Sequence, residues 1–180
     1  MPWTSPRTWT PRTKVTASIL NSELSGNLNQ IASPPYCNLY ATTATTMTTA
    51  GTTYAVAFDG EVADVGDLHS TSTNTSRITI GTAGLYEVHG GAGIAAQAAA
   101  TRFAVIFLVD GSAVRQSYSA IYVPATGSPL TGHYGVRGSM YIRFTVGQYL
   151  ELGVQCGTGG VATATGSSAQ SWLQARWLGP

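Results

Sequence analysis

Beyond Tyr54, apolar residues come in short runs separated by glycine-bearing turns. The runs are YAVAF, RITI, LYEV, RFAVIFLVDG, SMYIRFTVG, YLELGV and SWLQARWL. Runs of this length between turn residues predict β-strands. In the fifth run every second residue from Met140 to Val146 is apolar, as a strand with one buried face requires. The pattern predicts an all-β body, a sandwich or jelly roll, over residues 54–180.

The fourth run is apolar on both faces, and Asp110-Gly111 closes it with a turn. A sheet in a small antiparallel sandwich packs only one face inward, so a neighbouring subunit or, as the alternative, a loop must cover the other face. We predict that one of the two faces lines a subunit contact. The residues are Phe103, Val105 and Phe107 on one face and Ala104, Ile106 and Leu108 on the other.

The first 35 residues follow a different pattern. Four aliphatic residues recur at four-, four- and three-residue intervals, which places them on one stripe of a helix. Thr16 is a suitable N-cap and Pro34-Pro35 ends the helix after about 15 residues. A helix this short is marginal alone in water, so its stripe needs the body, sister chains or another protein as a partner. The stripe consists of Leu20, Leu24, Leu28 and Ile31.

Two further segments flank this helix. Residues 1–14 hold three prolines among basic residues and the tryptophans Trp3 and Trp9, a spacing that predicts an extended arm. Eight of the thirteen residues from 41 to 53 are threonine, which favours extended chain. We therefore divide the chain into an arm with a short helix (1–35), a threonine-rich linker or edge strand (36–53) and the body. Because the strand pattern lies beyond Ala50, a chain starting there is expected to fold.

Composition bounds the kind of partner. Charged residues make up 9% of the chain and the net charge is +1, whereas an average soluble domain is about 25% charged. Such a surface tolerates self-association and does not steer toward a polyanion, which favours assembly over nucleic-acid binding. No apolar stretch approaches the roughly 20 residues of a membrane span, and the N-terminus lacks a signal-peptide pattern. We expect no membrane partner and synthesis in a cytoplasm.

The sequence lacks familiar catalytic motifs. It contains no G-x-S-x-G, H-E-x-x-H or phosphate loop, and its only lysine is Lys14. The histidines, His69, His89 and His133, are scattered, so we expect no enzyme. An enzyme acting on cell-wall glycan would need two carboxylates roughly 5 to 9.5 Å apart, and the scarcity of acids argues against it.

Four of the eight acidic residues fall within nine positions, and calcium prefers oxygen ligands. Their spacing does not match an EF-hand loop, so solvated edge charges are the favoured interpretation. We expect no cofactor, with calcium as the alternative. Cys37 and Cys156 lie far apart without metal-ligand spacing, which favours two free thiols over a disulfide. The four acids are Asp59, Glu61, Asp64 and Asp67.

The body contains, in this order, VAFDGEVADVGD, NTSRITIGTAGLYEVHGGAGI, RFAVIFLVDGSAV, VRGSMYIRFTVGQYLELGV and SSAQSWLQARWL. With these segments it resembles the complement-one-q and tumour-necrosis-factor-like jelly roll. The first strand of this pattern carries Phe58, and the glycine turn at Gly147 precedes an aromatic strand. The resemblance covers about 125 residues and implies a ten-stranded, trimeric jelly roll. A homotrimer would explain the doubly apolar strand.

The leader contains a tryptophan, then RTW, then VTASILNSELSGNLNQI. In this it is similar to the beginning of many tailed-phage virion proteins, variously head-fibre, decoration or tail proteins. Joined to the body's resemblance, this implies a trimeric capsid decoration or head-fibre protein on the virion surface, made in the host cytoplasm. The partner would be the major capsid protein or another virion protein. The predicted anchors are Trp3, Trp9, Leu20, Leu24 and Leu28, because desolvated aromatic and aliphatic side chains contribute most to binding.

The alternative is a tail or fibre module that recognises a host surface glycan or protein. Glycine-rich loops such as GHYGVRG carry or adjoin tyrosine and arginine, which make efficient contact residues. Turn geometry explains most of these residues equally well. The candidates are Tyr118, Tyr122, Tyr134 and Arg137.

Overall fold

A computed structural model describes residues 4–5, 7–95, 97, 100–125, 133–163 and 171–180. One helical segment precedes thirteen strands within these ranges. The strands are β1 Tyr36–Ala41, β2 Thr46–Met47, β3 Thr53–Ala55, β4 Gly60–Val65, β5 Ile78–Thr79, β6 Gly84–Ala95, β7 Thr101–Val109, β8 Ser112–Ala113, β9 Ser119–Val123, β10 His133–Phe144, β11 Tyr149–Cys156, β12 Val161–Ala162 and β13 Ser171–Gly179.

The strands form two main sheets. The five-stranded sheet has the order β10-β6-β13-β1-β4. The six-stranded sheet has the order β3-β11-β7-β8, with β5 paired to β11 and β9 paired to β7. Neighbouring strands run antiparallel, and a small pair, β12 and β2, stands apart from both sheets. The architecture is the all-β jelly-roll sandwich that the sequence predicts.

The core lies between the two sheets and follows the alternation of the strands. In β1, Cys37, Leu39 and Ala41 point inward and are at most 2% exposed, while the intervening residues are only half-buried. The two sheets approach closely at Gly90, where a Cβ would lie 2.9 Å from the Phe107 ring. A side chain at this position would overpack the core.

The β7–β8 hairpin has the predicted turn. Asp110 and Gly111 both adopt positive φ, 51° and 74°, as the two central residues of a type I′ turn do. The carboxylate of Asp110 also accepts hydrogen bonds from the Tyr149 backbone N–H and the Gln148 side chain. The turn is therefore fixed against the start of β11.

The helical segment consists of α1 (Ala17–Leu20), a π-helical turn (Asn21–Ser25) and α2 (Gly26–Ala32). The Thr16 side chain accepts a hydrogen bond from the Ile19 backbone N–H at 3.3 Å, so the predicted N-cap is correct. The helix ends before Pro34 and Pro35, as predicted. Among the described residues, no helix is long and apolar enough to cross a membrane.

One boundary prediction is wrong. Residues 36–41 are neither linker nor edge strand, because β1 pairs with β13 on one side and β4 on the other. The segment YCNLYA alternates in burial, but it was grouped with the threonine-rich residues that follow it and was therefore predicted to be linker or edge strand. The body of the protein therefore begins at Tyr36. The strand predicted to reach Val146 ends at Phe144, and Val146 lies exposed in the following turn.

Candidate functional site

The helical segment turns its apolar stripe away from the body. Leu20, Leu24, Leu28 and Ile31 are 44%, 56%, 55% and 61% exposed. The buried residues of the segment are instead Gly26, Asn27 and Gln30. This is the reverse of an ordinary surface helix, whose apolar face meets the core. The leucine stripe, as we call Leu20, Leu24, Leu28 and Ile31, has no partner within the described part of the chain.

Polar contacts hold the helix in this orientation. The Gln30 side-chain amide donates to the Thr82 hydroxyl at 3.4 Å, in a buried setting. The carbonyl of Thr82 also accepts a hydrogen bond from the buried Tyr86 hydroxyl at 2.8 Å. Just after the helix, the Pro35 carbonyl accepts from the Trp177 backbone N–H at 2.9 Å. The helix is thus fixed at the end of the sandwich where Thr82 and Trp177 lie.

The N-terminal arm folds back along the polar side of the helix. The Asn27 side chain accepts a hydrogen bond from the Thr4 backbone N–H at 3.1 Å and donates one to the Thr4 carbonyl at 2.8 Å. Arg7 forms an ion pair with Glu23, and its hydrogen bond to Glu23 lowers the pKa of that carboxyl. The arm contacts the side of the helix that carries Glu23 and Asn27, and it leaves the leucine stripe exposed.

Four of the five predicted anchors lie in the described residues, and all four are exposed. Trp9 is 49% exposed, with the Arg7 guanidinium 5.6 Å from its ring centroid. Leu20, Leu24 and Leu28 belong to the leucine stripe. Trp3 lies outside the described residues. Attachment to a larger particle through these side chains stays a prediction.

Burial within the single chain does not favour the subunit contact predicted on β7, which stays a prediction. Phe103, Val105 and Phe107 belong to the core of the single chain and are at most 1% exposed. On the second face, Ile106 and Leu108 are 6% and 7% exposed within the same chain. These side chains already lie out of water, so they leave a sister subunit little surface to bury.

Neighbouring residues of the chain cover the second face of β7. The methyl group of Thr53 lies over Gly153, where a Cβ would be 2.6 Å from it and 3.3 Å from Leu108. Towards the other end, the Tyr118 hydroxyl donates to Gln155 at 3.0 Å, and Gln155 is the cross-strand neighbour of Ala104. The alternative of a covering loop was therefore closer to the structure than a subunit.

The outer face of the five-stranded sheet is partly exposed to solvent. It carries exposed Tyr141 (64%) and, at its end, Leu178 (47%). His89 and Glu87 lie on it with the His89 Nε2 and a Glu87 carboxylate oxygen 3.3 Å apart. A cleft of about 410 Å³ separates this face from the end of the helix, and it is lined by Ala32, Ser33, Pro34, Tyr36, Val65, Glu87, His89, Gln174 and Arg176.

The structure divides the four predicted contact residues of the loops. Tyr118 and Tyr122 come together beside Arg102 on the six-stranded sheet. Tyr134 lies on β10 in the other sheet and packs partly against the core, whereas Arg137 is exposed on the same strand. Arg102 was not among the predicted contact residues, because it lies in the apolar run of β7 and not in a glycine-rich loop.

The clustered acids have separate structural roles. Asp59 accepts hydrogen bonds from the Thr42 backbone and from the Thr42 and Thr43 hydroxyls, and these bonds lower the pKa of its carboxyl. Glu61 contacts the His69 ring at 2.7 Å, and Asp64 accepts from the backbone N–H of His69. Within the described ranges, no group of three or more His, Cys, Asp or Glu side chains is arranged to hold a metal ion.

The two cysteines are free, as predicted, and both are buried. Cys37 lies on β1 of the five-stranded sheet and Cys156 on β11 of the other. Burial, with a smaller contribution from the charges of Asp64 and Glu61, raises the pKa of Cys37 far above its ordinary value. A thiol of this kind is unreactive at neutral pH.

Comparisons with known proteins identify the fold but no family. No family model matches the chain, and no curated protein matches it. Murine APRIL, solved at pH 5.0, superposes with a TM-score of 0.58 at 9% identity, covering 80% of this chain and 98% of that one. The globular domain of zebrafish complement 1qA protein superposes with a TM-score of 0.54 at 11% identity, covering 80% and 96%.

The chain has the jelly roll of these two proteins. This confirms the fold that the body's sequence resemblance implied. Identities of 9% and 11% carry the fold alone, because one fold hosts many unrelated functions. The function must therefore be argued from the surfaces described above.

Proposed function

We propose that the protein is a structural component of a bacteriophage particle, a trimeric capsid decoration or head-fibre protein held by its first 35 residues. The observation that carries this proposal is the leucine stripe, which points away from the protein's own body. The sequence resemblance of the leader to tailed-phage virion proteins supports the same role. No catalytic step is part of the proposal.

The leucine stripe favours a macromolecular partner for a physical reason. Each square ångström of apolar surface removed from water contributes about 25 cal/mol, and contiguous exposed apolar patches in soluble proteins mark interaction sites. The polar contacts of Asn27 and Gln30 hold the stripe outward, so the surface is ready before a partner arrives. The partner we propose is the major capsid protein or another virion protein.

The anchor is tested with phage particles that lack this protein. A double variant, Leu24→Gln with Leu28→Gln, makes two of the four positions of the stripe polar while keeping good helix formers. We expect it to lose binding to these particles, whereas full-length protein binds them with only a modest loss at high salt, because apolar burial is not screened. Val62→Gln is the matched control, since Val62 is 69% exposed on the body. Undiminished binding by the double variant would refute the anchor.

For the trimer, we propose the outer face of the five-stranded sheet as the subunit contact. Its exposed Tyr141 and Leu178 and the adjoining cleft support this choice, as does the near-neutral composition of the chain. A charge introduced by Tyr141→Glu is expected to give monomers in light scattering. Tyr122→Glu, which alters a tyrosine on the other sheet, is expected to remain trimeric. A wild-type monomer at micromolar concentration would overturn the trimer.

The second candidate function is a host-recognition module on a tail or fibre. It is favoured by the grouping of Tyr118 and Tyr122 around Arg102. Electron microscopy of labelled particles separates the two functions, because label over the capsid and label at the tail tip cannot be confused.

A further inference from the structure

A cluster of arginine and tyrosine occupies one end of the six-stranded sheet. The Arg102 guanidinium carbon lies 4.6 Å from the centroid of the Tyr118 ring. Tyr122 is the cross-strand partner of Arg102 on β9 and is 71% exposed. We call Arg102, Tyr118, Tyr122 and Gln155 the Arg102 cluster. Tyrosine and arginine are the residue types that dominate binding hot spots.

The cluster is held in place without using the hydrogen-bonding groups of Arg102. The Gln155 side-chain amide donates to the Gly51 carbonyl, and its oxygen accepts from the Tyr118 hydroxyl at 3.0 Å. The Tyr118 ring in turn supports the guanidinium through its face. Arg102 makes no side-chain hydrogen bond or ion pair with the described residues. Its N–H donors, five in a guanidinium, are therefore available to a ligand.

The positive charge of Arg102 is also uncompensated on its own sheet. Asp110 and Glu151 are the acids of this sheet, and both belong to its opposite end. Glu151 pairs with Leu108, which is six positions along β7 from Arg102, or about 20 Å at the usual rise of a strand. An isolated guanidinium on a rigid strand is suited to a carboxylate, which its planar fork binds through two parallel hydrogen bonds.

We propose that the Arg102 cluster binds a carboxylated sugar of the host cell surface. The guanidinium would take the sugar carboxylate, and the exposed face of Tyr122 would lie against the sugar ring. The combination of one cation with an adjoining flat ring favours a ring-bearing acid over a flexible acidic peptide. The site therefore assigns a ligand class to the host-recognition function.

The position of the cluster fits this use, a step that rests on the proposed anchoring function. The helix attaches at the end of the sandwich that holds Thr82 and Pro35. Asp110, which follows β7, lies towards that end, because it bonds to Gln148 and the Gln148 carbonyl accepts from the Ile80 backbone N–H. Arg102, near the start of β7, lies at the other end, a span of about 25 Å. A body anchored through its helix would thus present the Arg102 cluster away from the particle.

The test uses purified full-length protein and calorimetry with three probes: trigalacturonic acid, the neutral galactose trimer and a glutamate tripeptide. We expect trigalacturonic acid to bind with a Kd of about 1 mM or tighter, and more weakly as salt is raised. The neutral trimer and the tripeptide are expected to bind at least about tenfold more weakly. The neutral trimer lacks the carboxylate that Arg102 would bind, and the tripeptide lacks the sugar ring that would lie against Tyr122.

Variants locate the site. Arg102→Gln and Tyr122→Ala should each weaken trigalacturonic acid binding by about tenfold or more, the usual effect of losing a charged hydrogen bond or an aromatic contact. Arg115→Gln is the matched control, because Arg115 is exposed on the neighbouring β8–β9 connection and should not change the Kd. Unchanged thermal unfolding will show that the variants fold.

Several results would overturn the proposal: no binding of trigalacturonic acid, equal binding of the neutral trimer or the tripeptide, or an unchanged Kd in Arg102→Gln. These outcomes are separable from failure of the anchor, because the calorimetry involves no phage particle. Conversely, loss of particle attachment in the leucine-stripe variant leaves the prediction for trigalacturonic acid unaltered.

Discussion

The leucine stripe and strand β7 are both unusually apolar, yet the fold treats them in opposite ways. From Phe103 to Leu108, both faces of β7 are buried within one chain, and Leu108 is the most exposed of these side chains at 7%. The leucine stripe stays about half exposed although the helix packs on the same body. The difference lies in the neighbours: β7 has paired strands on both sides. The helix meets the body through Gln30 and the N-terminal arm through Asn27.

The comparison teaches that apolar pattern alone does not say where a partner binds. A doubly apolar strand can be covered by small contributions from its own chain, such as Thr53 and Tyr118. A helix with one apolar stripe can be rotated outward by a few polar contacts on its other side. An apolar stripe that the body leaves uncovered is therefore a stronger indication of a binding partner than an apolar strand that the chain covers itself.

The largest expected effect separates the leader from the body by truncation. The sequence pattern predicted that a chain starting at Ala50 folds, but such a chain lacks β1 and with it Cys37, Leu39 and Ala41 of the core. We therefore replace that expectation: this chain should not unfold cooperatively. A chain starting at Pro34 keeps every strand and should retain a cooperative thermal transition by circular dichroism. If the shorter chain melts as sharply as the longer one, β1 is dispensable and the boundary at Tyr36 is incorrect.

A leucine-to-alanine substitution should cost much more stability on β7 than on the leucine stripe. Leu108→Ala should lower the free energy of unfolding by about 2 kcal/mol or more, as buried leucines do. Leu28→Ala should change it by no more than about 0.5 kcal/mol, the usual range for exposed sites. Both values come from urea denaturation.

Protein concentration sharpens this result. If Leu108 is buried within one chain, the loss in Leu108→Ala is the same at every protein concentration. A loss that grows on dilution would mean that a subunit contact contributes to it, and would restore the contact on β7.

The sequence predicted elements whose signal is local. The Asp110-Gly111 turn, the Thr16 cap and the alternation of β10 each depend on residues close together in the sequence. The turn and the cap are correct, and the alternation is correct up to Phe144. Prediction from the sequence failed where a structure depends on residues far apart in the chain. That β1 lies between β13 and β4 is decided by pairing across more than a hundred positions.

The candidate site shows the same limit. The four-, four- and three-residue spacing located the leucine stripe, and polar Glu23, Asn27 and Gln30 at helical spacing mark a second face. Nothing in these spacings says which face meets the body. That choice is made by Thr82 and Thr4, through hydrogen bonds that no periodicity contains.

Alkaline pH should lower the free energy of unfolding of the body, through ionisable groups that do not belong to the leucine stripe. Burial raises the pKa of Tyr86 to about 12, and it raises the pKa of Cys37 as well. A raised pKa gives stability that is complete below the unfolded pKa, about 10 for tyrosine and 8.5 for cysteine. That stability is lost as pH rises toward the folded value. The urea midpoint should therefore fall steadily between about pH 9 and pH 12.

Tyr86→Phe provides the control for this titration. It removes one ionisable group and retains the ring that packs edge-on against Phe144 with centroids 5.5 Å apart. The variant should lose less stability than the wild type across the upper part of that pH range. An identical decline in both proteins would show that Tyr86 does not contribute.

The smallest expected effect concerns the arm that lies on the polar side of the helix. Its ion pair lowers the pKa of Glu23, so the contact is complete above the ordinary glutamate pKa and is lost as pH falls through the folded value. Glu23→Gln should reproduce the loss at neutral pH, and the exchange of the Thr4 amide, which donates to Asn27, should become faster. Global stability should hardly change, because an exposed ion pair contributes little. Asp67→Asn is the control, since Asp67 is exposed in a loop of the body and should leave that exchange rate alone. If Thr4 exchanges at the same rate in Glu23→Gln and in the wild type, the Arg7 contact does not hold the arm, and the hydrogen bonds of Asn27 suffice to keep the arm off the leucine stripe.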